Sequence, residues 1–175
     1  SKTFAVNQPD QMHISVSTND VKCKGESNGT ALALVTGGTL PYNYSWDGFN
    51  GTDMRSNIMA GSYSLEVSDA MGCKQASSYR IDEPDALAIE AGITQARCGL
   101  SNGKIELAVS GGTAPYTFTW ENGTMGQLRS AIPAGQYQIQ VQDGQGCMAE
   151  AAYTILDPGP PVISVAQVQH VSCNG

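Results

Sequence analysis

Five cysteines are the residues of this chain best suited to chemistry, and their spacing is regular. Cys23, Cys98 and Cys173 stand 75 residues apart, with Cys73 and Cys147 between them. A thiolate metal site needs closely spaced ligand pairs, often with histidine alongside. Here neighbouring cysteines stand 25 to 50 residues apart, with the pairs that open and close each unit about 50 apart, and histidine is almost absent. The period instead pairs Cys23 with Cys73 and Cys98 with Cys147, opening and closing two units, and leaves Cys173 as the first cysteine of a further copy. Each bridge, closing a loop of that length, would stabilise its unit by roughly 4 kcal/mol in the chain-entropy model. Oxidised pairs place the parent protein outside the cytoplasm.

Other reactive material is sparse. The two histidines, His13 and His170, lie near the ends, so neither copy holds the commonest general base in its interior. Acids that could form a carboxylate pair in the first copy are Asp47, Asp53, Glu66 and Asp69. The second has Glu121 near the position of Asp47 and no acid matching Asp53, which argues against a repeated two-carboxylate site. No catalytic residue is assigned and no enzyme is expected. Calcium is the one cofactor with a case: Asp82, Glu83 and Asp85 lie at the first joint, and with the turn residue Asp69 they could share an ion between neighbouring units. The net charge is −7. Residues 10–84 hold nine acids and five bases, and residues 85–158 seven and three, so no basic patch forms. Nucleic acid and anionic lipid are poor partners for such a surface, and no apolar run is long enough to span a bilayer.

The elements that must position these residues also repeat. Gly37-Gly38-Thr39-Leu40-Pro41-Tyr42, Tyr44, Trp46, Ala60-Gly61-Ser62-Tyr63, Asp69 and Gly72-Cys73 recur as Gly111-Gly112-Thr113-Ala114-Pro115-Tyr116, Phe118, Trp120, Ala134-Gly135-Gln136-Tyr137, Asp143 and Gly146-Cys147. A period this long marks small domains with their own cores rather than stacked solenoid units. The expected organisation is the tail of a preceding repeat at 1–9, repeats at 10–84 and 85–158, and the start of a following repeat at 159–175. Proline in the joints Asp82-Glu83-Pro84-Asp85 and Leu156 to Pro161 predicts semi-rigid connections.

Within a repeat the apolar residues alternate with a period of two, as in Tyr63, Leu65 and Val67 or Tyr137, Ile139 and Val141. Strands are expected near 14–16, 31–35, 42–46, 55–58, 63–67 and 75–81, and at the matching places of the second copy. Asn28-Gly29, Asn102-Gly103 and the two Gly-Gly pairs supply turns with positive φ. Ala-Gly-x-Tyr reads as a tyrosine corner, and Asp69 and Asp143 as turn residues whose carboxylates cap backbone amides. The fold class is all-β: tandem immunoglobulin-like β-sandwiches, one disulfide per repeat. Trp46 and Trp120 lie in phase with two other aromatics each and read as core. The competing reading exposes Tyr42, Trp46, Tyr116 and Trp120 as a platform for sugar rings.

As a set, the opening Cys with Asn-Gly, the Gly-Gly-Thr-x-Pro-Tyr-x-aromatic-x-Trp strand, the Ala-Gly-x-Tyr corner and Asp-x-x-Gly-Cys resemble the SprB repeat family. These domains are strung along giant cell-surface proteins of gliding and other Bacteroidetes bacteria. The resemblance covers nearly the whole chain, departing only where Cys23 to Gly29 is one residue longer than Cys98 to Gly103. It implies an exported surface adhesin, extracellular on the bacterial cell, moved by a motility motor in gliding species. The partners implied are neighbouring repeats of the same chain and extracellular polysaccharide or solid surfaces. A carbohydrate-binding module built on the aromatics is the alternative.

Overall fold

The computed structural model describes residues 9–159. Residues 1–8 of the expected tail at 1–9, together with His170, Cys173 and the start of a following repeat beyond 159, lie outside the described residues. Among those described every regular element is a strand, and no helix is long and apolar enough to cross a membrane. The first repeat forms β1 (His13–Asn19), β2 (Gly29–Thr36), β3 (Asn43–Trp46), β4 (Phe49–Gly51), β5 (Met54–Ile58), β6 (Gly61–Ser68) and β7 (Lys74–Ile81). The second forms β8 (Ala88–Thr94), β9 (Gly103–Ser110), β10 (Thr117–Trp120), β11 (Leu128–Ile132), β12 (Gly135–Gln142) and β13 (Met148–Ile155).

Strand order in the first repeat is β1-β2-β5 in one sheet and β4-β3-β6-β7 in the other. The alternation read from sequence sets which face each strand buries. Ala31, Ala33 and Ile58 of one sheet meet Trp46, Leu65, Val67, Tyr79 and Ile81 of the other in one core. A three-strand sheet packed on a four-strand one is the immunoglobulin-like arrangement. The second repeat orders its strands β11-β9-β8 and β10-β12-β13, and buries Ile105, Leu107, Trp120, Ile132, Tyr137, Ile139, Val141 and Ile155 at the corresponding positions. By backbone packing the chain divides into two compact units. One runs to Ala88 and also takes in Ser110–Tyr116 and Gln142–Met148, and the other holds Ile89–Val109, Thr117–Val141 and the chain from Ala149 onward.

The repeats differ at one hairpin for a local reason. Asp47 and Gly48 both take positive φ, 48° and 85°, as a two-residue type I′ turn requires, so the chain folds straight back and β4 pairs with β3. In the second repeat Glu121-Asn122-Gly123 makes a three-residue loop in which only Gly123 is left-handed, closed by the Trp120 N–H on the Thr124 carbonyl at 2.9 Å. Only an isolated bridge, Thr119 with Met125, replaces β4 there.

The Asn-Gly motif has a different purpose from the turn expected of it. Gly29 and Gly103 begin strands and do not have positive φ, unlike Gly37, Gly38, Gly111 and Gly112. They are glycine because a neighbouring strand bulges over them, at the left-handed residues Asn57 and Ala131. A Cβ on Gly29 would lie 2.8 Å from both the Ile58 carbonyl oxygen and Ile81 Cγ2, and one on Gly103 would lie 2.8 Å from the Ile132 oxygen. The asparagine secures the preceding loop, Asn28 Oδ1 accepting from the Lys22 N–H at 3.0 Å and Asn102 Oδ1 from the Arg97 N–H at 2.9 Å. Gly29→Ala is expected to cost about 1–3 kcal/mol by overpacking against backbone. Leu34→Ala, on the exposed face of the same strand, should stay within about 0.5 kcal/mol. Urea melts of the two variants check this.

Candidate functional site

Each repeat carries its cysteines on two loops, and backbone hydrogen bonds locate both. The loop after β1 is tied to the chain that leaves β7. Val21 N–H donates to the Asp82 carbonyl at 3.0 Å, while Glu83 accepts from Lys24 Nζ at 3.0 Å and the Gly25 N–H at 2.8 Å. Cys23 thus sits at the trailing end of its repeat. Cys98 occupies the equivalent place, where the Gly99 N–H donates to Asp157 Oδ2 at 2.6 Å just beyond β13.

The other loop lies at the leading end. Asp69 is only 4% exposed and accepts from the backbone N–H groups of Thr39 (3.0 Å), Met71 (3.0 Å) and Cys73 (2.8 Å), while the Gly38 N–H beside it donates to the Asp10 carbonyl. Asp143, 6% exposed, repeats the clamp with Thr113 (2.8 Å), Gln145 (2.9 Å) and Cys147 (2.8 Å), and the Gly112 N–H donates to the Asp85 carbonyl. Burial alone would raise both carboxyl pKa values. The converging amides outweigh it and hold both below the ordinary 3.8.

This placement corrects the expected pairing. Cys73 immediately precedes β7 and the loop of Cys23 is bonded beyond its end, so the eight residues of β7 lie between them. At about 3.3 Å per residue that strand is roughly 26 Å long, whereas a disulfide needs Cα atoms within about 7 Å. The same holds for Cys98 and Cys147 across β13. The bond that forms is Cys23–Cys147, with Cα atoms 5.6 Å apart and a sequence separation of 124. Both cysteines fall in the first compact unit. Cys73 and Cys98 are free thiols, and both are exposed.

The aromatic platform is also corrected for the tryptophans. Trp46 and Trp120 are 3% and 2% exposed, and their indole N–H groups donate to the Thr52 and Gly126 carbonyls at 2.9 Å. Trp46 meets Tyr79 edge to face with ring centres 5.4 Å apart. Burial leaves neither indole face open to a sugar. Tyr42 and Tyr116 are half-buried, and their hydroxyls donate to the carbonyls of Gly37 and Gly111. Among the described residues the most exposed aromatic ring is Phe49, in the hairpin that the second repeat lacks. The tyrosine corners form as expected, with Tyr63 donating to the Met59 carbonyl at 2.9 Å and Tyr137 to the Pro133 carbonyl at 2.7 Å.

The four acids offered for calcium are not brought together. Asp69 is engaged by three amides, Glu83 by Lys24 and Gly25, and Asp82 accepts from Arg80 Nε, while the Asp85 main chain is held by Gly112. Among the described residues no three His, Cys, Asp or Glu side chains gather as a metal would require. A pair that the sequence reading did not single out is Arg55 with Asp47, repeated as Arg129 with Glu121 at 2.7 Å. Arg55 lies 5.0 Å from the Tyr63 ring centre and Arg129 4.6 Å from that of Tyr137, so each guanidinium covers the tyrosine corner. Opposite charges eight residues apart at the same phase of both copies were the available signal.

The family model of the SprB repeat matches residues 15–51 and again residues 91–125. No curated protein matches the sequence. Among solved structures, a fragment of Down Syndrome Cell Adhesion Molecule with eight N-terminal Ig domains aligns at 17% identity and TM-score 0.40, covering 85% of this chain and 25% of that one. A C-terminal 282-residue fragment of intimin, solved with the intimin-binding domain of its translocated receptor, aligns at 10% identity and TM-score 0.45, covering 83% and 64%. The amphioxus IgVJ-C2 molecule aligns at 14% and TM-score 0.35, covering 85% and 98%. The chain thus spans about a quarter of the first of these and under two thirds of the second.

Iodoacetamide is expected to label Cys73 and Cys98 in the native protein but to reach Cys23 and Cys147 only after reduction. Peptide mapping under non-reducing conditions should recover Cys23 joined to Cys147. Acid provides a second test. Because the folded pKa values of Asp69 and Asp143 lie below 3.8, their ionised forms stabilise the fold at neutral pH. That contribution fades as pH drops through the ordinary value toward the lower folded ones. Urea midpoints should fall between about pH 5 and pH 2, and the Asp69→Asn, Asp143→Asn double variant should show a shallower fall from a lower starting stability.

Proposed function

We propose that the chain is a non-enzymatic repeat segment of a bacterial cell-surface adhesin. In this reading it spaces out the parent protein and contributes many weak contacts to extracellular polysaccharide or solid surfaces, with surface motility as the setting in gliding species. The observation that carries the reading is the match to the SprB repeat at the same phase of both copies. The fate of the polar side chains supports it. Asp69 and Asp143 are engaged in clamping loops, Asp47 and Glu121 pair with arginine, and the tryptophans fill cores.

The covalent connection suits a chain under tension. A pull on the two ends passes from Cys23 through the bridge to Cys147, and the residues between carry none of it. Stretched from its ends, the oxidised chain should reach a contour length shorter than the reduced chain by roughly 40 nm, the span of the locked loop at about 3.3–3.6 Å per residue. Single-molecule force spectroscopy with and without reductant measures the difference.

Multivalent attachment is tested with beads carrying the chain at graded density, presented to glass and to agarose. Weak repeated contacts predict attachment that rises much faster than density. Attachment proportional to density, with equal-strength binding of a soluble oligosaccharide by the free chain, would favour the carbohydrate-binding alternative.

A further inference from the structure

Each repeat has one cysteine at its trailing end and one at its leading end, and the disulfide that forms joins a trailing cysteine, Cys23, to the leading cysteine of the next repeat, Cys147. Two thiols remain. Cys73 is a leading-end cysteine held by the same clamp as Cys147, its N–H on Asp69 at 2.8 Å as that of Cys147 is on Asp143 at 2.8 Å. Cys98 is a trailing-end cysteine on a loop tied to Asp157 as the loop of Cys23 is tied to Glu83. Both thiols are exposed.

We infer that Cys98 and Cys73 are complementary halves of an end-to-end junction, the Cys98 thiol of one copy bonding to the Cys73 thiol of a second. The warrant is the bond between their repeat equivalents. A trailing loop and a leading loop of this sequence present their sulfurs within bonding reach when they meet, since Cys23 and Cys147 do so with Cα atoms 5.6 Å apart. Like ends do not supply that pairing. The second trailing loop is one residue shorter and Cys98 has a φ of 57°, a local difference that the junction must accommodate. The oxidant is a low-molecular-weight disulfide of the glutathione class. Two protein thiols and one oxidised glutathione give one protein disulfide and two reduced glutathione molecules, the protein losing two electrons and two protons. The inference deepens the reading of the chain as one link of an array, and it concerns how copies join rather than what they attach to.

The test uses the full chain carrying Cys173→Ser, so that two free thiols remain, in a reduced and oxidised glutathione buffer. Non-reducing electrophoresis should show a ladder of multiples whose linked peptides contain Cys98 and Cys73. Cys73→Ser alone and Cys98→Ser alone should each abolish the ladder, and a mixture of the two variants should stop at a dimer. Symmetric Cys98–Cys98 or Cys73–Cys73 dimers from the single variants would overturn the inference. So would monomers carrying only glutathione adducts, or a reshuffled chain with Cys23–Cys73 and Cys98–Cys147. A ladder from protein whose beads fail to attach would sink the adhesive reading and leave the junction standing.

Discussion

A β-strand of eight residues is too long for a disulfide to cross, and that length decides the covalent chemistry of this chain. β7 separates Cys73 from the loop that carries Cys23, and β13 separates Cys147 from the loop that carries Cys98. The strands cannot shorten, because Tyr79 and Ile81 on the one and Ile155 on the other fill the core. With the within-repeat bond ruled out by geometry, a disulfide from either loop needs a partner outside its own repeat. The packing of each sandwich therefore dictates that its sulfur chemistry faces outward along the chain.

For that chemistry to be specific the sulfurs must be held still, and the buried aspartates provide this at the leading end. A carboxylate accepting three backbone N–H groups fixes the loop more tightly than a turn of the same length with solvated amides, and it does so without a metal or a hydrophobic anchor. The short side chain matters, since glutamate would place its oxygens one methylene farther from amides that converge at about 2.8–3.0 Å. The trailing loop is held differently, by acids of the joint, Glu83 and Asp157, whose pKa values are lowered first of all by the backbone N–H groups they accept. Two of the acids read as a calcium cradle, Asp69 and Glu83, are thus fasteners for the loops that carry cysteine.

Much of this fold was legible in the sequence because alternation and repetition are local signals. Tyr63, Leu65 and Val67 announce a strand with one buried face, the tyrosine corner follows from Ala-Gly-x-Tyr, and the tryptophans declare themselves as core by falling in phase with neighbouring aromatics. What escaped depends on distance through space. Spacing alone makes Cys23 and Cys73 look like the two ends of one unit, and only the direction of β7 reveals that they point to opposite ends of it. Glycine after asparagine is commonly a turn former, and that is the local expectation at Gly29. Its actual constraint, the carbonyl of Ile58 pressing on its Cα, comes from a strand about 30 residues away. The Arg55 pair does carry a local signal, since Asp47 sits eight residues before it as Glu121 sits eight before Arg129.

Linking a trailing loop to the next leading loop has a consequence that a within-repeat bridge would lack. A bond from Cys23 to Cys73 would have enclosed about 50 residues and left the joint between repeats exposed to any pull. The bond from Cys23 to Cys147 encloses that joint along with most of both repeats. If Cys98 bonds to Cys73 of a second molecule, the new bond leaves from inside one closed loop, since Cys98 lies between Cys23 and Cys147, and enters inside another, since Cys73 does too. The path from one molecule to the next then runs through sulfur. Separating two neighbours requires breaking sulfur–sulfur bonds rather than only parting packed surfaces, and the small core of each sandwich is relieved of holding the array together.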